Sequence, residues 1–206
     1  QIDVESRTRR IVSLRLPRMS GNFEEIWNTN FAGELPAGYA LRSAYASRWV
    51  RFHYLPNSKR YPDNESEFQT LLKRVDTIAR DGLALDRDLW MVASLHDNAR
   101  LGDQKRWHKD VRIPHKLTPA FKWSFDINDA EAGQYTVLAG QCRWSIEAFD
   151  PLVRQIAAGT YAHILWLDPN SGIVFAPYDG GIDIILPSEN AAASLKAKYA
   201  DWFSDQ

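Results

Sequence analysis

The pattern that most constrains the fold lies in the C-terminal third of the chain, where short apolar segments alternate with turn residues. Tyr161 to Leu167 and Ile173 to Tyr178 are separated by Asp168-Pro169-Asn170-Ser171-Gly172. Proline fixes one backbone angle, and asparagine and glycine tolerate positive φ, so this spacing predicts a β-hairpin. A second reversal at Asp179-Gly180-Gly181 leads into Ile182 to Leu186. Together these segments predict a three-stranded antiparallel meander.

Helical spacing of apolar residues predicts four helices. The clearest begins after Pro62, where Asn64 as N-cap and Glu67 three residues later form a capping-box pattern. We expect Gly82 to end this helix. The other three begin near Asn22, Asp150 and Ser188. The last of them follows the meander and places on one stripe Leu195, Tyr199, Trp202 and Phe203.

Strand-like runs between these helices complete the expected fold. They are Trp49 to Leu55, Leu89 to Leu95, Phe121 to Ile127 and Tyr135 to Trp144. The elements together predict an α+β fold, with a mainly antiparallel sheet of about five to seven strands packed with about four helices. We expect residues 1–206 to form a single domain, because domains commonly contain roughly 100 to 200 residues.

The segment from Arg48 to Pro62 is the most informative about function. Its first half alternates charge with bulk, so Arg51 and His53 face one side of a half-exposed strand and bulky residues face the other. Its second half is a polar, cationic turn that contains Lys59 and Arg60. Arginines beside aromatic rings are typical of recognition surfaces, although ordinary surface packing also produces them.

Charge is distributed unevenly along the chain, although the net charge is only −1. Residues 1–60 carry ten Arg or Lys against five Asp or Glu, whereas residues 126–206 carry four against eleven. A net charge near zero argues against a general affinity for nucleic acid or anionic lipid. If the acidic C-terminal part presents its carboxylates on one face, that face attracts a basic partner, whereas scattered solvating charges do not.

The single cysteine and the apolar runs bear on the cellular compartment. Cys142 is the only cysteine, which excludes an internal disulfide and favours a reducing compartment. Its place in an apolar run predicts a buried, inert thiol. The longest apolar runs are far shorter than the roughly 20 residues that a bilayer requires, and the first residues show no signal pattern. We therefore expect a cytoplasmic protein.

The sequence contains no pattern that predicts catalysis, a metal or a cofactor. One polar stretch contains His96, Asp97, His108 and His115. It lacks the helical or paired-cysteine spacing that brings metal ligands together. The glycine motifs of nucleotide sites and the serine nucleophile elbow are also absent from the sequence. We therefore expect a protein without metal or cofactor that is not an enzyme.

Two parts of the sequence carry a resemblance to a known family. The first is Trp49-Val50-Arg51-Phe52-His53-Tyr54-Leu55-Pro56-Asn57-Ser58-Lys59-Arg60-Tyr61-Pro62. The second joins Ile173-Val174-Phe175-Ala176-Pro177-Tyr178-Asp179-Gly180-Gly181-Ile182-Asp183 with Tyr199-Ala200-Asp201-Trp202. Over most of its length the chain resembles the bacterial family known as domain of unknown function 3885. In many members the late turn is similar to aspartate-aspartate-arginine-glycine, whereas Asp179-Gly180-Gly181 lacks that arginine, so a role of the arginine does not transfer.

This resemblance implies a bacterial, soluble domain and brings no catalytic residues. Small bacterial domains of this kind are often immunity partners in toxin systems, which is an analogy. We therefore expect an immunity protein that binds a cognate bacterial toxin and occludes its active site. In this hypothesis acidic side chains such as Asp179, Asp183 and Asp201 attract the toxin, while an aromatic anchor fills its cleft. The predicted partner-binding residues are Trp49, Arg51, His53, Lys59, Arg60, Tyr61, Tyr178, Asp179, Asp183 and Asp201.

Two other hypotheses remain open. In the first, an enzyme or sensor binds a phosphate-bearing nucleotide or RNA through cationic side chains, because guanidinium groups bind phosphate with paired hydrogen bonds. These side chains are Arg51, His53, Lys59 and Arg60. Trp49 or Tyr61 could stack on a base, and Asp179 could act as an acid or base, although aspartate before glycine also suits a tight turn. The second is a housekeeping domain without a dedicated partner.

Overall fold

A computed structural model describes residues 22–83, 87–97, 116–124 and 133–202. The helices in these ranges are α1 (Phe23–Phe31), α2 (Gly38–Ala44), α3 (Glu65–Leu83), α4 (Asp150–Ala157) and α5 (Glu189–Lys198). The strands are β1 (Trp49–His53), β2 (Leu89–His96), β3 (Thr118–Ser124), β4 (Gln134–Cys142), β5 (Ile164–Asp168), β6 (Ile173–Tyr178) and β7 (Gly181–Ile185). The predicted α+β fold is confirmed, with five helices in the described ranges where about four were expected.

The seven strands form one antiparallel sheet in the order β1-β7-β6-β5-β2-β4-β3. The predicted C-terminal meander is confirmed, because β5, β6 and β7 are consecutive neighbours. β1 pairs with β7 and so extends the meander on one side, whereas β2 pairs with β5 and extends it on the other. This order brings the segment after β1 close to the turn between β6 and β7.

Helices cover both faces of the sheet. α3, α4 and α5 pack on one face around a buried core that includes Trp144, Trp166 and Phe175. α1 and α2 pack on the other face, where Trp27 and Phe31 are buried. Large aromatic rings remove much apolar area from water, at about 25 cal/mol per Å². None of the helices in the described ranges is long and apolar enough to cross a membrane.

The predicted N-cap of α3 is present, and Asn22, near which α1 was expected to begin, is also an N-cap. The side chain of Asn22 accepts a hydrogen bond from the Glu25 amide at 2.9 Å, and that of Asn64 accepts one from the Glu67 amide at 3.0 Å. The Glu67 carboxylate accepts a bond from the Asp63 amide at 2.7 Å, one residue before the N-cap. The capping box is therefore completed one residue earlier than its sequence pattern predicts.

Gly82 does not end α3, contrary to the prediction, because the helix includes Leu83. A Cβ at Gly82 would lie 2.6 Å from Cδ1 of Ile184 on β7. Real Cβ atoms do not approach other carbons so closely, so a larger residue here would force the helix or Ile184 to move. Gly82 is therefore a site of close contact between helix and sheet.

The structure also differs from the sequence prediction around α2 and β5. The sequence does not predict α2, because only Leu41 among its seven residues is buried and the apolar spacing of a helix is missing. β5 begins at Ile164 and not at Tyr161. The residue before it, His163, has a φ of 57°, in the left-handed region, which no strand residue adopts. The segment before β5 therefore leaves the sheet.

The final helix is confirmed in part. α5 follows Ser188, whose hydroxyl accepts a hydrogen bond from the Ala191 amide at 3.2 Å, and Leu195 is buried. Tyr199 and Trp202 are half-buried and lie beyond the end of α5, next to or in a short 3₁₀ turn. Three parts of the predictions lie outside the described residues, namely Phe203, the polar stretch after Asp97 and residues 125–127 of the strand predicted from Phe121.

We expect Gly82→Ala to destabilise the protein by about 1 kcal/mol. Overpacking against Ile184 costs about 1–3 kcal/mol, and the higher helix propensity of alanine offsets up to about 1 kcal/mol of that cost. In an Ile184→Val background, which lacks Cδ1, the same substitution should become neutral or stabilising. Urea unfolding of the unaltered protein, the two single variants and the double variant measures the free energy of unfolding of each. The differences give the effect of Gly82→Ala in each background. Equal destabilisation in the two backgrounds would contradict the close contact.

Candidate functional site

A cleft opens where the sheet splits between β5 and β6. The two strands pair only as far as Trp166 and Phe175, whereas β6 continues beside β7 as far as Tyr178. Pro177 lies in this last part of β6, and proline has no backbone N–H to donate to a neighbouring strand. β5 instead stays paired with β2 as far as Ile164. The two halves of the sheet therefore diverge and leave a gap.

The cleft has a volume of about 630 Å³. Its walls come from α2, from β1 and the turn after it, from the connection between α4 and β5, and from the β6–β7 hairpin. Gly38 allows α2 to approach the hairpin, since a Cβ on Gly38 would lie 3.1 Å from Cβ of Ala176. The cleft thus joins segments that are more than 100 residues apart in the sequence.

A buried carboxylate organises the inner part of the cleft. Asp183 on β7 lies directly opposite Arg51 on β1, and its side chain is only 5% exposed. Arg51 donates from Nε to Oδ1 at 2.8 Å and from Nη2 to Oδ2 at 2.9 Å. Trp49 Nε1 donates to Oδ1 at 3.0 Å. Period-two alternation along β1 places Trp49 and Arg51 on the same face, which allows both to bind one carboxylate.

Aromatic rings enclose this ion pair. Cζ of Arg51 lies 4.5 Å from the ring centroid of Tyr178 and 5.2 Å from that of Trp49. Burial alone lowers the pKa of Arg51, but the hydrogen bonds and charge of Asp183 outweigh burial and raise the pKa. Arg51 therefore stays charged, and its guanidinium is fixed by one carboxylate and two rings.

A second ion pair lies at the mouth of the cleft. Arg60 Nη2 donates to both oxygens of Asp179, at 2.7 and 2.8 Å, and the Tyr61 hydroxyl donates to Oδ2 at 3.1 Å. Arg60 also covers Gly180, where an added Cβ would lie 3.2 Å from its Cγ and Nε. The pair is exposed to solvent, so its net contribution to stability is small. It ties the turn after β1 to the β6–β7 turn.

His53 lies in the cleft close to two arginines. Burial and the charges of Arg51 and Arg74 lower the pKa of His53. Arg74 comes from α3 and donates from Nη1 to the backbone oxygen of His53 at 3.0 Å. Nearby cations disfavour protonation of an imidazole, so His53 is neutral at neutral pH and keeps one N–H donor.

His163 lies in another wall of the cleft, in a strained backbone conformation. Its φ of 57° is unusual for a residue with a side chain, and its carbonyl accepts a hydrogen bond from the Ser94 amide at 3.0 Å. Its ring lies 5.3 Å from the ring of Tyr39. Burial and the neighbouring His96 lower the pKa of His163. The cleft therefore contains a second neutral imidazole.

Most of the predicted partner-binding residues meet at this cleft. Those that line it are Arg51, His53, Arg60, Tyr178, Asp179 and Asp183. Trp49 and Tyr61 donate hydrogen bonds to two of these residues. Lys59 does not line the cleft, because its ammonium binds Asp63 and Glu67 at 2.6 Å each beside the start of α3. Asp201 is exposed after α5 and does not line the cleft either.

Several cleft residues are missing from the sequence prediction, among them Tyr39, Arg42 and His163. Tyr39 and Arg42 belong to α2, whose pattern does not mark a helix, and His163 precedes β5 in a segment predicted as strand. In α2, Arg42 follows Tyr39 by three residues, and arginines also occur close to aromatic residues in the segment from Arg48 to Pro62. That similarity is the signal that could have found α2, whereas nothing in the sequence marks His163.

The two predicted acidic groups of the hairpin do not project free charge into solvent. Asp183 is buried and bound by Arg51, and Asp179 is bound by Arg60. Acidic residues of the C-terminal part are thus neutralised by basic residues of the N-terminal part. An exposed acidic surface that attracts a basic partner does not form at this hairpin.

Cys142 is buried, as predicted. Burial raises the pKa of its thiol to about 12, so the reactive thiolate is scarce at neutral pH. Within the ranges that the structure describes, no three His, Cys, Asp or Glu side chains are grouped to hold a metal ion. The chemistry of the cleft therefore rests on arginine, histidine, tyrosine and aspartate side chains.

We expect Asp183→Asn to destabilise the protein by about 2–4 kcal/mol, because it leaves the half-buried Arg51 without its counter-charge. The matched control is Asp179→Asn, the same chemical change at the exposed pair, with an expected cost below about 1 kcal/mol. Urea unfolding at neutral pH measures the free energy of unfolding of both variants. Similar costs for the two variants would show that Asp183 does not organise the cleft.

Comparison with known proteins places this architecture in a family. A family model described as "Domain of unknown function (DUF3885)" matches residues 37–206. The match begins at the residue before α2 and so includes every wall of the cleft. Comparison with curated proteins and with solved structures gives no match. The matched region covers most of the sequence, and the chain belongs to the DUF3885 family.

Proposed function

We propose that this protein is a binding protein whose cleft rim recognises a protein partner, and that the partner is a cognate bacterial toxin whose active site it occludes. The observation that carries the proposal is the position of exposed aromatic side chains. In the described ranges the exposed large apolar side chains are Tyr39, Tyr61 and Ile146, at 38%, 51% and 56% exposure. Two of the three lie at the mouth of the cleft.

The chemistry of this rim suits protein recognition. Tyr39 lines the cleft, and Tyr61 binds Asp179 at its mouth. Arg60 lines the cleft and lies beside Tyr61, with its Cζ 5.5 Å from the ring centroid. Tyrosine and arginine are enriched among the residues that dominate binding energy in protein interfaces. Such side chains beside a concave surface favour a partner that inserts a segment into the cleft.

The rim is also held in place before binding. Arg60 and Tyr61 share the carboxylate of Asp179, so both side chains are fixed by hydrogen bonds. Ordering a flexible side chain on binding costs about 0.5–1.5 kcal/mol, and a side chain that is already ordered avoids much of that cost. This preorganisation supports binding by Tyr61 as an anchor.

A toxin as the partner rests on the analogy with small bacterial immunity domains. Because Asp179 and Asp183 are paired with arginines, attraction of a basic toxin by these carboxylates is not part of the proposed mechanism. The proposed mechanism is steric, with the aromatic anchors of the rim covering the active site of the toxin.

Co-expression with the product of the adjacent gene, followed by size exclusion and a toxicity assay, tests this proposal. We expect a stable complex and protection of the host cell. Tyr39→Ala and Tyr61→Ala should each weaken binding by about 30-fold or more, the effect of removing a hot-spot residue worth 2 kcal/mol. Ile146→Ala is the control, since Ile146 is exposed but does not line the cleft.

Two results would contradict the proposal. One is the absence of both a complex and protection with the unaltered protein. The other is a complex whose affinity is reduced by Ile146→Ala and unaffected by the two tyrosine variants, because the partner would then bind elsewhere. Thermal melting of each variant checks that an exposed substitution leaves the fold intact.

A further inference from the structure

We propose that the interior of the cleft binds the phosphate group of a small, ring-bearing ligand, and that Arg42 is the side chain that holds this phosphate. The inference goes beyond the proposed function, which concerns the exposed rim and a protein partner. It also differs from the sequence hypothesis of a phosphate site, which includes Lys59 and lacks Arg42. Lys59 is bound by Asp63 and Glu67 outside the cleft.

The charged side chains that line the cleft do not all have a partner of opposite charge within the described ranges. The lining contains three arginines, and two of them are neutralised, Arg51 by Asp183 and Arg60 by Asp179. Arg42 has no carboxylate partner among the residues that the structure describes. Its guanidinium lies 5.8 Å from the ring centroid of Trp49. One positive charge of the lining is therefore available for a ligand.

The charge of Arg42 lies in the same cleft as two other hydrogen-bond donors. Arg42 and Arg51 both lie near the ring of Trp49, at 5.8 and 5.2 Å from its centroid, and both line the cleft. His53 follows Arg51 on the same face of β1 and also lines the cleft. A planar guanidinium binds a phosphate with two parallel hydrogen bonds, and a neutral imidazole adds one donor. The three side chains form a donor surface for a tetrahedral anion.

The cationic side chains around His53 also favour an anion at this surface. Burial and the charges of Arg51 and Arg74 lower the pKa of His53, so the two arginines contribute a positive potential at the imidazole. Arg74 reaches the backbone of His53 from α3. A potential that opposes protonation of His53 attracts an anion to the same place. An anion that binds there should in turn raise the pKa of His53.

The cleft also has room for the rest of the ligand. A volume of about 630 Å³ exceeds the need of a phosphate and falls in the range of about 300–1,000 Å³ that is usual for small-molecule sites. The rings of Tyr39 and Tyr178 form part of the walls. Aromatic side chains stack on the flat face of any nucleobase. A phosphate attached to a planar ring therefore fits both the charge and the walls.

Isothermal titration with inorganic phosphate, adenosine 5′-monophosphate and adenosine tests the inference on the whole chain. We expect the nucleotide to bind more tightly than phosphate alone, and adenosine to bind at least about tenfold more weakly than the nucleotide. Arg42→Gln should weaken nucleotide binding at least about tenfold. Lys59→Gln removes the same charge outside the cleft and should leave binding unchanged. No binding of either phosphate compound, or equal loss in the two variants, would overturn the inference.

A second readout locates the bound anion. In an NMR titration, saturating phosphate should raise the pKa of His53, with His53→Gln used to assign its resonance. Phosphate binding that leaves the pKa of His53 unchanged would overturn the proposed position. The outcome is separable from that of the proposed function. A toxin complex without nucleotide binding would overturn only the phosphate site, and nucleotide binding without a complex would support the phosphate site and count against the toxin.

Discussion

The buried carboxylate of Asp183 is the constraint on which the cleft depends. Removing a carboxylate from water costs several kcal/mol unless its oxygens are bound, so the fold must supply donors at that point. β1 supplies them through Arg51 and Trp49, which both donate to Asp183. The pairing of β1 with β7 places the donors in register with the carboxylate. Position and charge of the inner cleft therefore follow from one interaction between two strands.

The cleft itself follows from a break in the sheet. Pro177 occupies the part of β6 where pairing with β5 has ended, and the segment before β5 turns away at His163. Residues from four parts of the chain surround the resulting gap, which a continuous sheet would have closed. A split sheet thus converts a layered α+β domain into one with a concave surface. The rim offers tyrosines to a macromolecule, whereas the interior offers donors to an anion.

Local features of this fold are predictable from the sequence, and its long-range pairs are not. The turn at Gly172 needs a positive φ and has one, the Asn64 cap acts within three residues, and alternation along β1 spans only five residues. The Arg51–Asp183 pair instead depends on a register across 132 residues, which no local pattern encodes. Charge counts along the sequence do not predict the charge of the surface for the same reason, because acidic and basic segments neutralise each other in the fold. α2 is missed because it buries only Leu41.

A double-mutant cycle between Arg51→Met and Asp183→Leu measures directly whether this pair organises the cleft. Each single variant leaves one charge without its partner, whereas the double variant leaves none, so the effects on the free energy of unfolding cannot be additive. The predicted coupling energy is about 2–3 kcal/mol, with the double variant more stable than the sum of the single effects implies. Additive effects, with a coupling energy near zero, would contradict the central role of Asp183.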